Sequence, residues 1–236
     1  MDTQGDSNSP VKFHPLDREA EIQVRARNLP HWFQPNTAIF VTFRTADSMP
    51  AEVLQRWQRE LEEWLLQSKF PIELADSIVH RRHQNHAQLL DKLSPVQQRE
   101  FKRLSDRIFH RCLDECHGEC LMRQTELAEI VGNAIRFYDA QRYDLDRFVV
   151  MPNHVHAIVQ FRLGFDLHVV GQSWMRYTAR LINQQIGRQG ELWQAEPFDH
   201  IIRSAQDFKY LQQYIADNPS NANLKVGEFL YWQRQS

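Results

Sequence analysis

Tyr143-Asp144-Leu145-Asp146-Arg147-Phe148-Val149-Val150-Met151-Pro152-Asn153-His154-Val155-His156-Ala157-Ile158-Val159-Gln160-Phe161 is the stretch on which the fold turns. Two runs rich in apolar, β-branched and aromatic residues flank Met151-Pro152-Asn153, a turn-like break. Strands from Tyr143 to Met151 and from His154 to Phe161, joined by so short a connection, pair antiparallel. Successive side chains of a strand alternate faces, so His154 and His156 share one face while Val155 turns to the opposite, buried one. The first histidine then stands at the strand mouth, where a ligand can arrive.

Working outward, Ala38-Ile39-Phe40-Val41-Thr42-Phe43-Arg44 follows Pro35-Asn36 and reads as a second buried strand. Val53, Leu54, Trp57, Leu61, Trp64 and Leu65 fall at helical spacing over 51–66. Ser94-Pro95 has the form of a helix start, a capping Ser with Pro at the first helical position. A helix over 123–139 carries Leu127, Ile130, Val131, Ala134, Ile135 and Tyr138 on one face. A further helix over 168–187 ends at Gly187. Gly190 to Ile202 reads as irregular or extended and holds Trp193. A last helix over 205–218 stops at Pro219.

That order predicts an α+β fold: a ferredoxin-like, RRM-like antiparallel sheet with helices packed on one face and a helical insertion. Residues 1–30 read as a flexible N-terminal segment, within which Val11 to Leu16 can dock. Residues 31–236 read as one domain with the insertion at about 67–111. Residues 76–111 hold eight Lys/Arg against four Asp/Glu. This is either a solvated helical face or a basic arm that touches phosphates.

The bulk numbers exclude several classes. An apolar fraction of 42% with 14 Phe supports an ordinary core, and 25% charged residues argue against wholesale disorder. The net charge of −2 lacks the basic signature of non-specific nucleic-acid binding, although it leaves room for a local basic surface. No apolar run approaches a membrane span, and the polar start carries no secretory pattern. A cytoplasmic protein with no membrane partner is the expectation. Cys112, Cys116 and Cys120, with His117 between, are spaced unlike a structural zinc site and have no second pair to complete one.

His154-Val155-His156 can put two imidazoles on one metal ion, though such a pair alone also fits an exposed strand edge. Tyr214-Ile215-Ala216-Asp217-Asn218-Pro219 places a phenol and a carboxamide at i and i+4, on one helix face. Together they supply a nucleophile, two nitrogen ligands and one oxygen ligand. A free phenol, with a pKa of about 10, needs help to attack a phosphodiester. A divalent ion can stabilise charge on the phosphate oxygens. Mixed N/O ligands do not choose between Mg²⁺ and Mn²⁺. Tyr177, on an earlier helix, is a rival nucleophile, but Leu181 stands at its i+4 position. Arg44, Arg162, Arg176, Arg180, Arg188 and Arg203 are candidates for phosphate contacts, and Trp193 reads either as a ring that stacks on a base or as core packing.

Met151-Pro152-Asn153-His154-Val155-His156 resembles the signature of HUH-type single-tyrosine transposases. More closely, the chain resembles the REP-associated tyrosine transposases, within the IS200-like group. Val41-Thr42-Phe43-Arg44 is similar to that family's first strand, and Tyr143 through Phe161 to its central strands. Leu192-Trp193-Gln194 and Phe198-Asp199-His200-Ile201-Ile202-Arg203 resemble the loop before its last helix. Tyr214-Ile215 with Asn218-Pro219 resembles its catalytic helix end. The resemblance runs from about residue 36 to 228 and is weakest over 67–111.

It implies His154, His156 and Asn218 as metal ligands, Tyr214 as nucleophile, and Mg²⁺ or Mn²⁺ as cofactor. The implied activity is a metal-dependent single-stranded DNA endonuclease and transesterase. Such an enzyme cleaves and rejoins DNA at hairpin-forming, palindromic repeats through a 5′-phosphotyrosine link, as a monomer or homodimer. A catalytically silent nucleic-acid-binding protein of the same fold is the alternative. A hydrolase of small phosphoesters is a third reading.

Overall fold

The computed structural model describes residues 11–21, 23–26, 30–69, 90 and 92–235. The quoted stretch forms two strands, β4 (Tyr143–Val150) and β5 (His154–Phe161), paired antiparallel. β3 (Ala38–Arg44) pairs with the other edge of β5. Two short strands complete the sheet, β6 (Phe198–Ile201) beside β3 and β7 (Leu230–Gln233) beside β4. The five-stranded order is β6-β3-β5-β4-β7, with every pairing antiparallel. β1 (Gln23–Ala26) and β2 (Pro30–Phe33) make a separate hairpin, partly inside the segment expected to be flexible. Val11 to Leu16 docks: Leu16 N–H donates to Ile202 O at 2.7 Å, and His14 O accepts from Ala38 N at 2.7 Å.

The chain divides into two compact units, Met1–Ala46 with Cys120–Ser236, and Asp47–Glu119. The second holds α1 (Ala51–Gln67) and α2 (Pro95–Asp114). Leu61 and Leu65 of α1 meet Ile108, Cys112 and Leu113 of α2 in its core. α2 begins at the expected Ser94-Pro95. Ser94 Oγ accepts from Gln97 N at 3.3 Å, and Gln97 Oε1 accepts from Ser94 N at 3.0 Å, a reciprocal cap.

The first unit holds the sheet with α3 (Thr125–Arg136), α4 (Leu167–Ile186) and α5 (Ala205–Asn221). Val41, Phe43, Val155, Ala157 and Val159 face one side, where α3 and α4 cover them through Leu127, Val131, Trp174 and Ile182. α4 starts at an Asp166 cap and ends at Gly187, whose φ of 67° is left-handed. Ala38, Phe40, Val149 and Ile158 face the opposite side, covered by Leu211 and Ile215 of α5. The α+β fold is as expected, but the packing of helices on one face holds only for α3 and α4, because α5 crosses the other face. β4 shifts register between Leu145 and Arg147, so Leu145 and Phe148 both reach the α3–α4 core although three residues apart.

One boundary differs from expectation. α5 does not stop before Pro219 but runs to Asn221 with Pro219 inside it. Proline lacks a donor and crowds the preceding turn. Here that falls in the last turn only, where few bonds are lost, and Pro219 is buried. Leu224 N–H donates to Pro219 O at 2.9 Å and closes the end.

Candidate active site at the histidine strand

Register brings the first pieces together. Thr42 of β3 lies opposite His156 of β5, and Arg44 opposite His154. All four side chains belong to the α5 side of the sheet, because Val41, Phe43 and Val155 take the other. The turn is rigid. Met151 N–H donates to His154 O at 2.8 Å, and Asn153 O accepts from Thr45 N at 2.8 Å. Both histidines are wholly buried, as is Asn153. The strand mouth, expected to be open, is thus closed over.

α5 brings Tyr214 and Asn218 onto the same spot. The Tyr214 hydroxyl lies 3.4 Å from His156 Nε2, and Asn218 Nδ2 donates to that hydroxyl at 3.2 Å. The His156 and Tyr214 ring centroids are 5.3 Å apart, and those of His154 and His156 4.6 Å. Phe40 stacks on the His156 ring at 5.1 Å and meets Tyr214 edge-on at 6.0 Å. The residues that sequence reasoning joined across some sixty positions are one cluster.

Each imidazole is held by its Nδ1 atom. Asn153 Oδ1 lies 2.8 Å from His154 Nδ1, and Thr42 Oγ1 lies 2.7 Å from His156 Nδ1. A carboxamide oxygen only accepts, so His154 Nδ1 is the donor in this contact and Nε2 is the nitrogen left for a ligand. Metal-binding histidines are oriented in this way, through the nitrogen away from the ion. Two imidazoles and a buried carboxamide therefore fit a divalent ion with mixed N/O ligands. Among the described residues, no three His, Cys, Asp or Glu side chains form a metal-type group, so any such set here draws on Asn218. Thr42, Asn153 and Phe40 were not singled out in the sequence. Thr42 carried a faint signal, as a polar residue inside a buried strand.

The remaining candidates scatter. Arg44 is half-buried at the end of β3 beside His154, and burial lowers its guanidinium pKa from the ordinary value. Arg176, Arg180 and Tyr177 lie on the outer side of α4, across the sheet from Tyr214. There they line an open cavity of about 790 Å³ with His168 and Ser173. Tyr177 is 48% exposed, with the Arg180 guanidinium 5.8 Å from its ring centroid, and is not brought to the histidines. Arg203 sits just before the Ser204 cap of α5, and its N–H donates to Asp207 Oδ2. Arg162 is engaged by Asp144 at 2.6 Å. Of the two readings of Trp193, the core one holds. It is 6% exposed, donates from Nε1 to Thr178 Oγ1 at 2.8 Å and packs edge-on against Phe43, so its ring is core and offers no face to a base.

The model of the family described as Transposase IS200 like matches residues 120–218. Over that stretch the chain is similar to the IS200-like transposases. The matched stretch contains β4, β5, α3, α4 and nearly all of α5, and so both histidines, Tyr214 and Asn218. β3, with Thr42 and Arg44, lies outside it. An uncharacterized protein of Haemophilus influenzae is 24% identical over 135 residues, 44% of this chain and 73% of that protein. A solved structure of a REP-associated tyrosine transposase bound to a REP hairpin is 13% identical, with a TM-score of 0.39. The alignment covers 78% of this chain and 66% of that one, just under two thirds of its length. Among the described residues, no helix is long and apolar enough to cross a membrane.

Proposed function

We propose that the chain cleaves and rejoins single-stranded DNA at hairpin-forming repeats, with Tyr214 as nucleophile. The observation that carries this is the Tyr214 hydroxyl, 3.4 Å from His156 Nε2 and 3.2 Å from Asn218 Nδ2, on the buried polar face of the sheet. The IS200-like match over the same residues supports it. His154, His156 and Asn218 would hold a divalent ion, Mg²⁺ or Mn²⁺, which supplies positive charge to the scissile phosphate.

The chain's own residues do the rest. Tyr214 Oη attacks phosphorus, forms a 5′-phosphotyrosine ester and releases a 3′-OH; the reverse attack by a 3′-OH rejoins the strand and frees the phenol. The Asn218 N–H points at the oxygen where negative charge gathers as the phenol loses its proton. Thr42 and Asn153 hold the two imidazoles in orientation. Phe40 and α5 exclude water from the inner side. Arg44, at the rim beside His154, is positioned for a backbone phosphate.

The test is adduct formation with a hairpin-bearing oligonucleotide in Mg²⁺ or Mn²⁺, read as a slower-migrating covalent species. Tyr214→Phe is expected to abolish it and Tyr177→Phe to spare it. Loss with Tyr177→Phe alone overturns the assignment. Tight oligonucleotide binding with no adduct across many hairpin sequences favours a binding protein instead. Turnover of a small chromogenic phosphodiester without any adduct favours a simple hydrolase.

A further inference from the structure

The reaction above needs a phenol oxygen held within a few tenths of an ångström, yet α5 meets the sheet through the apolar side chains Leu211 and Ile215. Apolar burial is non-directional and does not by itself fix how far a helix rolls about its axis. A helix with its side chains is about 10–12 Å across, so a roll of about 20° carries an atom at its edge roughly 2 Å. That is enough to take Tyr214 away from His156. Something directional must set the roll.

Gln212 supplies it. At 3.6 residues per turn, Gln212 and Tyr214 flank the Leu211–Ile215 stripe on opposite sides. Gln212 Nε2 donates to both carboxylate oxygens of Asp146, each at 3.0 Å. Asp146 stands at the register shift of β4, where the strand has an extra residue. Arg147 Nε donates to Asp146 Oδ2 at 2.7 Å, while its Nη1 reaches the Gln212 carbonyl at 3.5 Å and the Tyr231 hydroxyl at 3.4 Å. The side chain and the backbone of one α5 residue are thus both gripped from the sheet. On the other side, Asp146 O accepts from Arg234 N at 2.8 Å, which ties the bulge to the chain just after β7. Asp146 is 8% exposed, so these bonds are shielded from competing water.

We propose that Asp146, Arg147 and Gln212 form a latch that fixes the rotation of α5 and so the approach of Tyr214 to His156. They are positioning residues, none of which touches the reacting atoms. The inference rests on Tyr214 being the nucleophile, and the test separates the two. The chain has six tyrosines, so uniform 3-fluorotyrosine labelling gives few ¹⁹F lines, and Tyr214→Phe identifies that of Tyr214.

In Gln212→Leu, the Tyr214 line is expected to broaden or split while the other lines hold. Single-turnover adduct formation should slow about 100-fold, with oligonucleotide Kd held within about twofold. Asp146→Asn, which keeps one oxygen for Gln212, retains more of the rate than Gln212→Leu. Arg147→Lys gives up the reach to the Gln212 carbonyl and slows the step about tenfold, a milder break should Gln212→Leu fold poorly. An unchanged Tyr214 line in Gln212→Leu overturns the latch, as does an unchanged rate. If the unaltered protein forms no adduct across many hairpin sequences, the proposed reaction fails, and the fluorine line alone still judges whether the latch holds α5.

Discussion

On one side of the five-stranded sheet, Val41, Phe43, Val155 and Ala157 meet α3 and α4 in an unbroken apolar core. On the other, one residue along in the same strands, Thr42, His154 and His156 lie buried beneath α5 with Asn218. Burying polar groups is costly unless they are hydrogen-bonded. The second face accepts that cost, and its imidazoles are tethered by Thr42 and Asn153 at 2.7 and 2.8 Å. A period-2 strand lets both kinds of face coexist with no extra element. One face supplies cohesion, and the other supplies a fixed set of donors and acceptors. Changes on the two faces should therefore fail differently.

The largest separation is expected for Tyr214→Phe. It removes one oxygen from the polar face, so the covalent adduct should vanish while oligonucleotide binding and the melting temperature stay close to those of the unaltered protein. A large fall in melting temperature would mean that the phenol is there for packing. Thr42→Val should come next. With the Nδ1 tether of His156 gone, Mn²⁺ affinity measured by calorimetry is expected to drop about 10–100-fold. Unchanged Mn²⁺ binding would detach Thr42 from any metal role.

Val155→Ala tests the opposite face from between the two histidines. Val155 is wholly buried, and truncation should cost about 2 kcal/mol in denaturant unfolding. Adduct formation per folded molecule should survive. If it is lost in proportion to neither folding nor binding, the two faces are coupled more tightly than alternation suggests.

The narrowest contrast, confined to alkaline pH, concerns Tyr143. Tyr143 sits in the apolar core, donating to Ile135 O at 2.5 Å and accepting from Trp174 Nε1 at 3.2 Å. Burial pushes its phenol up to about 12. The unfolded chain loses that proton at about 10, so folding holds a proton that the unfolded state releases. Stability is fully present below the unfolded value and declines as pH rises through about 12. Tyr143→Phe should flatten this alkaline decline in pH-dependent melting, at a loss near neutral pH of about 1–3 kcal/mol for the abandoned partners. An alkaline decline of the same slope in Tyr143→Phe would assign it to other groups.

Much of this was written locally. The alternation of His154, Val155 and His156, the turn at Pro152-Asn153, the Ser94-Pro95 start and the i, i+4 spacing of Tyr214 and Asn218 are properties of a few adjacent residues. They follow from strand and helix periods. β7 escaped notice because four residues near the chain end carry too little pattern to read. Pro219 misled because a proline signals a stop in the middle of a helix but is tolerable in its last turn. Trp193 had the composition of a stacking residue, and only the positions of Phe43 and Thr178 made it core.

The sequence by itself determined which residues share a face within each element, since that depends on backbone geometry alone. The tertiary structure decided which faces meet. The β3–β5 register put Thr42 against His156 and Arg44 beside His154. The packing of α5 across the sheet put Tyr214 on His156 and left Tyr177 on the far side. Those encounters join residues far apart in the chain, and they are fixed by summed packing and hydrogen bonding across the whole fold rather than by any local period.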